Sequence, residues 1–347
     1  MNAAKTHVSS HTGRDAVLSG SMANTRLRTM QAGVIRAPRR IDIMDVPIPE
    51  PNSNQVLVRL EGCGVCASNI PLWEGRPWFT YPMGAGAPGH EGWGRVAKIG
   101  DQVTEFSLGD RVAVLSHNAY AEYDLSDQLS TVKLPAGLDQ QPFPAEPFGC
   151  AMNIFRRSQI NRDDTVAVVG VGFLGALLIQ LVHAVGARVL AISRREAGRR
   201  CALDSGASHV LILDEQAHVV SEIKDLTDRR LCDVVIECTG KQGALDLAAE
   251  LTRERGRLVI AGYHQDGLRQ INMQLWNWRG LDVINAHERD PQVYCEGMHQ
   301  AVRAVQTGLL NPAPLFTHTF PLHQLGDALE IAAARPAGFM KALVLMQ

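Results

Sequence analysis

Thr165-Val-Ala-Val-Val-Gly-Val-Gly-Phe-Leu-Gly-Ala-Leu-Leu-Ile-Gln180 decides the reading of this chain. A short valine-rich run ends in Gly170-x-Gly172-x-x-Gly175, with Phe173 and Leu174 between the last two glycines, and a helical pattern follows at once. Strand, tight turn and helix start stand in the order that a dinucleotide site requires. Gly170 permits the sharp turn, Gly172 lets the backbone approach a pyrophosphate, and Gly175 allows the helix to pack close on the strand. The free N–H groups and the dipole of the helix then face the phosphates. Glycine spacing alone is a weak signal, but the flanks strengthen it. The helix runs to Val185, stops at Gly186 and gives way to a second strand, Arg188–Ile192.

That second strand leads into Ser193-Arg194-Arg195. An acid that holds the ribose is expected there, roughly 20 residues after the turn, in sites that prefer NAD. Its absence, with Arg194 adjacent and Arg199 close behind, favours a 2′-phosphate, hence NADP(H) over NAD(H). Arginines that merely face solvent are the plainer alternative.

Downstream, strands and helices alternate, as a parallel sheet requires. Val210–Leu213, Asp233–Glu237, Arg257–Ala261 and Leu281–Ile284 read as strands, and a helix through Leu251 follows Cys238-Thr239-Gly240. The tail from Tyr294 mixes helix and strand and closes on Ala342–Met346. Upstream, short strands dominate: Gln31–Arg36, Ile41–Val46, Val56–Leu60, Arg95–Ile99, Arg111–Leu115 and Ala119–Tyr123. So many short strands before the nucleotide unit predict a separate, mostly β domain.

The whole chain has 347 residues, suited to two domains, and a formal net charge of -2. That balance offers no surface for nucleic acid or anionic membrane. No apolar run reaches the ~20 residues of a membrane span. The seven cysteines are scattered, with no secretory signal before them, and read as reduced thiols of a cytoplasmic protein. Residues 1–29 are polar, with Asp15 the only acid, and read as a disordered extension, a transit peptide being the lesser alternative.

Two glycine-rich loops carry the chemistry. Gly62-Cys-Gly-Val-Cys-Ala-Ser-Asn69 follows one strand, and Gly84-Ala-Gly-Ala-Pro-Gly-His-Glu-Gly-Trp-Gly94 precedes another. Cys66, His90 and Glu91 supply the thiolate, imidazole and carboxylate groups that zinc takes. For either Cys66 or His90 alone, a buried thiol or a hydrogen-bonded loop residue would be the ordinary reading.

Together with Gly109-Asp-Arg-Val112, Glu146-Pro147 and the Gly170 turn, these loops stand in an order that resembles the medium-chain, zinc-dependent alcohol and polyol dehydrogenases. The resemblance covers the chain from about Met30 to its end. It implies a GroES-like catalytic domain from residues 30–155 and 291–347, and a Rossmann doubly wound parallel sheet over residues 156–290. It also implies one catalytic zinc held by Cys66 and His90, with Glu91 and Glu146 as carboxylate ligands of the polyol-like branch. Cys63, a second ligand on spacing alone, becomes a packed thiol. No cluster of four cysteines follows Glu91, so one zinc per chain is expected and no second, structural one.

Further roles follow from the same resemblance. Zinc lowers the pKa of a substrate hydroxyl, Ser68 takes its proton, and Cys238, Thr239, Gly240 and Gly262 line the cofactor cleft. Pro71 stands where a relay histidine is usual, and Asn69 replaces the aspartate usual behind the zinc histidine. Lys341 either reaches the pyrophosphate or faces solvent, and Cys150 is either near the nicotinamide or a core thiol. Trp73, Trp78 and Trp93 wall the pocket or pack the core, and His287 and Glu288 face the substrate or the solvent. The expected partner is a small alcohol or ketone, and the expected assembly a homodimer or homotetramer. Metal-free reduction of activated double bonds is the alternative within the superfamily, and a non-enzymatic NADP sensor is a more distant one.

Overall fold

A computed structural model describes residues 29–346, so the expected N-terminal extension lies outside the described residues except for Thr29. The chain opens on a hairpin of β1 (Thr29–Ala37) and β2 (Arg40–Pro47). Then come β3 (Gln55–Gly64), the short helix α1 (Ile70–Trp73), β4 (Gly92–Ile99), β5 (Arg111–Val114), β6 (Tyr123–Asp127) and β7 (Thr131–Lys133). Helix α2 (Ala145–Ser158) leads into the alternating region: β8 (Thr165–Val169), α3 (Phe173–Ala184), β9 (Arg188–Ser193), α4 (Glu196–Asp204), β10 (His209–Ile212) and α5 (Gln216–Leu226). It continues with β11 (Cys232–Glu237), α6 (Gln242–Leu251), β12 (Thr252–Ile260), α7 (Met273–Arg279) and β13 (Asp282–Asn285). The tail is α8 (Pro291–Gln306), β14 (Phe316–Pro321), α9 (Leu325–Ala334) and β15 (Lys341–Leu345).

The alternating region forms one parallel sheet in the order β10-β9-β8-β11-β12-β13. Helices cover both faces, and so β8, β9 and β11 read as nearly unbroken apolar runs with no alternation. Helix α3 is apolar almost all round because it lies between this sheet and α2. The strand order reverses between β8 and β11, and the crevice beyond their carboxyl ends is where a doubly wound sheet takes its ligand.

Strands from both ends of the chain build the second sheet, in the order β14-β15-β3-β4-β5-β7 with β6 also on β3. The C-terminal strand β15 pairs antiparallel with β3, so the tail of the chain completes this second sheet. Phe148 of α2, Phe173 of α3 and Phe316 of β14 pack together with centroids 5.9–6.3 Å apart, joining the two sheets through one apolar core. Among the described residues no helix is long and apolar enough to cross a membrane.

One expected strand is corrected. Ala119–Tyr123 is not a strand, and only Ala121 forms a bridge, to Ala32. The backbone there is engaged with the glycine-rich loop instead: Ala119 N–H donates to Gly89 and Tyr120 N–H to Gly86. The strand begins at Tyr123 and runs on to Asp127.

Candidate active site

The antiparallel register brings the two chemical loops together. Strand β3 ends where β4 begins, with Cys63 opposite Gly92, and Gly64 N–H donates to the Glu91 carbonyl at 3.1 Å. Cys66, just past β3, therefore stands beside His90 and Glu91, just before β4. Strand β15 closes the third side, because Leu343 pairs with Gly64 and Val65 N–H donates to Ala342.

The ligand atoms of Cys66, His90 and Glu91 all lie within 4.8 Å of one another. Their donor set, a thiol, an imidazole and a carboxylate, fits zinc. His90 Nδ1 lies 2.8 Å from the Pro88 carbonyl, which can only accept, so Nδ1 carries the proton and Nε2 is left for a metal. Burial alone would lower the His90 pKa, but Cys66, Glu146 and Glu91 outweigh it and push the imidazole up to about 10. Such a pocket of negative charge around one imidazole suits a cation.

Glu146, in the first turn of α2, adds its charge beside this cluster but falls outside the 4.8 Å set. Its Oε1 accepts from the Tyr294 hydroxyl at 2.5 Å and from Cys150 Sγ at 3.6 Å. Burial pushes its carboxyl above the usual range. Cys150 thus sits one helical turn from Glu146 and binds it, where the sequence left its place open. Cys63 is fully buried in β3 and outside the cluster, as a packed thiol should be.

Asn69 does not stand behind His90. That position belongs to the Pro88 carbonyl, whereas Asn69 Nδ2 donates to the buried Tyr120 hydroxyl at 2.6 Å. Asn69 Oδ1 accepts from Ser68 Oγ at 3.4 Å, which orients that hydroxyl.

The residues expected to bind the cofactor converge at the switch point of the parallel sheet. Gly170 has φ of 98°, and a Cβ there would lie 2.3 Å from Thr239 Cγ2, while one at Gly175 would lie 2.3 Å from the Gly170 carbonyl oxygen. Both contacts exclude a side chain, so the turn after β8 closes on the Thr239 side chain at one glycine and on its own backbone at the other. At Gly172 a Cβ would meet nothing within 4 Å, and this N-cap offers α3 no side-chain hydrogen bond. The first N–H groups of α3, at Phe173 and Leu174, are thereby left for a phosphate.

The Cys238-Thr239-Gly240 loop is gripped by a carboxylate that sequence reasoning missed. Glu237 is fully buried; its Oε1 accepts from the Thr239 N–H and hydroxyl, both at 2.6 Å, and from Gly240 N–H at 2.9 Å. His264 holds Oε2 at 3.0 Å, and Arg269 donates to the other ring nitrogen at 2.7 Å. Gly262 packs against the same loop, with room for no Cβ. Position at the end of a predicted strand was the only available signal for Glu237.

At the far end of the cleft Ser193 is buried under Gly198, and Arg194 is exposed. Arg199 donates to the Arg194 carbonyl at 2.7 Å, Arg195 to the Phe339 carbonyl at 2.8 Å, and Arg200 pairs with Glu196. The Arg194 guanidinium makes no hydrogen bond or ion pair among the described residues.

Lys341 does not face solvent. It is buried and bonds the Glu91 carboxylate at 2.6 Å, with its ammonium 4.9 Å from the centre of the Phe173 ring. A buried carboxylate needs a counter-charge, and Lys341 at the start of β15 supplies one. Trp73 and Trp93 are core residues, and Trp78 is exposed. His287 bonds the Gly262 carbonyl at 3.2 Å and so lies at the cleft, whereas Glu288 accepts from the N–H groups of Arg289 and Asp290 and only shapes the turn into α8.

Known proteins share this architecture and these loops. The sequence profile described as "Alcohol dehydrogenase GroES-like domain" matches residues 52–149, and "Zinc-binding dehydrogenase" matches residues 174–303. The chain is 28% identical to erythritol/L-threitol dehydrogenase of Mycolicibacterium smegmatis, over 90% of this chain and 97% of that one. It is 25% identical to sorbitol dehydrogenase of Bacillus subtilis, over 90% and 96%. A crystal structure of a zinc-binding dehydrogenase from Sinorhizobium meliloti bound to NADP superposes with a TM-score of 0.79 at 27% identity, covering 92% of this chain and 99% of that one. With both of its halves matched and its loops so arranged, the chain belongs to the medium-chain, zinc-dependent alcohol and polyol dehydrogenase family.

Proposed function

We propose that this dehydrogenase binds one zinc ion per chain and passes a hydride between a secondary alcohol, polyol, cyclitol or sugar-like substrate and NADP(H). The observation that carries this reading is the set of Cys66, His90 and Glu91 ligand atoms within 4.8 Å. It speaks against metal-free reduction of activated double bonds, which has no use for those groups. We take residues 30–155 with 291–347 as the catalytic domain and residues 156–290 as the cofactor domain.

Cys66, His90 and Glu91 would hold the metal, with Glu146 facing it, and a bound zinc supplies Lewis acidity to the substrate oxygen. Ser68 takes up the hydroxyl proton at Oγ, with Asn69 Oδ1 orienting it. Pro71 offers no imidazole to pass that proton on, so water or the cofactor ribose does so. The α3 N-terminus binds the pyrophosphate. Arg194, unengaged among the described residues, reads the 2′-phosphate, as the relative bound to NADP supports.

Exposed apolar side chains gather around the sheet edge at β13: Trp278 and Leu268 are 84% and 101% exposed, with Ile271, Met273 and Val283 also uncovered. An edge strand flanked by such groups is a pairing surface, which supports a homodimer or homotetramer. Free thiols throughout support a cytoplasmic location.

Metal analysis of the purified protein, together with a panel of alcohols, polyols and inositols assayed with both cofactors, tests this function. One equivalent of zinc per chain and turnover of a polyol or secondary alcohol are expected. No zinc, or two equivalents, overturns the metal assignment.

A further inference from the structure

We infer that Tyr294 is a positioning residue for the metal-facing carboxylate, tying down Glu146 Oε1 so that only Oε2 is presented to the metal or its water. This rests on the zinc reading given above.

Tyr294 and Glu146 are 148 residues apart, yet the phenol oxygen lies 2.5 Å from Glu146 Oε1. A hydroxyl that donates to a carboxylate at this distance makes a short, charge-assisted bond. The phenol oxygen also lies 2.6 Å from Cys150 Sγ. With the phenol hydrogen and the Cys150 S–H both directed to Glu146 Oε1, the phenol and the thiol hold the same carboxylate oxygen. Glu146 Oε2 makes no hydrogen bond among the described residues. Fixing one oxygen of a carboxylate fixes the direction of the other, so Tyr294 sets which oxygen faces His90 and Cys66.

The backbone makes this placement rigid. Helices α2 and α8 approach so closely that a Cβ on Gly149 would lie 2.8 Å from Met298 Cγ, and one on Gly297 would lie 2.6 Å from Asn153 Nδ2. Asn153 also donates to the Val293 carbonyl at 3.2 Å, next to Tyr294. The helix that carries Tyr294 is therefore held in register against the helix that carries Glu146 and Cys150. A phenol present only to fill space would need neither bond.

The test uses the full chain loaded with zinc, and in parallel with cobalt, whose visible absorption reports ligand geometry. Losing an outer partner of a metal ligand typically costs 10–100-fold in metal affinity, so Tyr294→Phe should release metal to a chelator about 10–100-fold faster than wild type and shift the cobalt bands. In a Glu146→Ala background, which leaves the phenol no oxygen to hold, the same change should have no further effect, because Tyr294 acts through that carboxylate. Tyr294→Gln, too short to reach Glu146, is the second variant should Tyr294→Phe not fold, and the same release is expected from it. Unchanged release and unchanged cobalt bands, or an effect of equal size in the Glu146→Ala background, would overturn the inference and leave the zinc reading standing. A wild-type chain that takes up neither ion overturns both.

Discussion

Lys341 and Glu91, 250 residues apart in the chain, meet beneath the candidate metal site with the ammonium nitrogen 2.6 Å from the carboxylate. Both side chains are almost fully buried. Burial alone would lower the Lys341 pKa, but Glu91 beside it holds the ammonium above its ordinary range. Strand β15 thus brings an ammonium group onto the buried Glu91 side chain, next to Cys66 and His90. Removing one partner of a buried pair costs about 3–5 kcal/mol, because the other is left uncompensated. Lys341→Met should lower the urea midpoint of the metal-free protein accordingly with little change in slope. An unshifted midpoint would show that Glu91 does not depend on this lysine.

Gly64 is the wall against which Glu91 rests. A Cβ there would lie 1.8 Å from Glu91 Oε2 and 3.0 Å from its carboxyl carbon. Gly64→Ala must push the carboxylate away from its place, so bound zinc and alcohol turnover should fall together while nucleotide binding persists. Full zinc content in that variant would remove Glu91 from the ligand set.

Cys66→Ala should abolish alcohol oxidation and leave cofactor binding largely intact, since the metal loop and the glycine turn belong to different sheets. Cofactor fluorescence titration and steady-state assays read the two separately. Turnover near the wild-type rate would sink the zinc mechanism.

In the proposed reading, cofactor choice hangs on Arg194. A guanidinium–phosphate hydrogen bond is worth about 1.5–3 kcal/mol, roughly one to two decades in affinity. The wild type should show a higher kcat/KM with NADP than with NAD, and Arg194→Ala should narrow that gap. Arg195, Arg199 and Arg200 are already engaged with Phe339, Arg194 and Glu196, so a full rescue by them is not expected. A wild-type preference for NAD would make these arginines surface residues only.

Trp278, at the end of α7, should report the assembly. Trp278→Glu places a charge among apolar groups at the β13 edge and should shift the sedimentation profile toward monomer. A wild type that already sediments as a monomer would rule out the proposed homo-oligomer.

Much of this was legible in the chain itself. The βαβ unit stands where Gly170, Gly172 and Gly175 put it, because a tight turn, an open backbone and a close helix contact are local demands that only glycine meets. Cys66, His90 and Glu91 were legible too, as residue types in short loops flanking strands. What no local pattern carries is how strands from opposite ends of the chain pair. The antiparallel register of β3 with β4 and β15 decided that the two loops meet and that Lys341 turns inward to Glu91. The packing of α8 on α2 decided that Tyr294 binds Glu146, and the fold of the glycine-rich loop took Ala119 and Tyr120 out of a strand. Each outcome rests on burial. A charge or a backbone group removed from water must find a partner, and only the assembled fold determines which one is within reach.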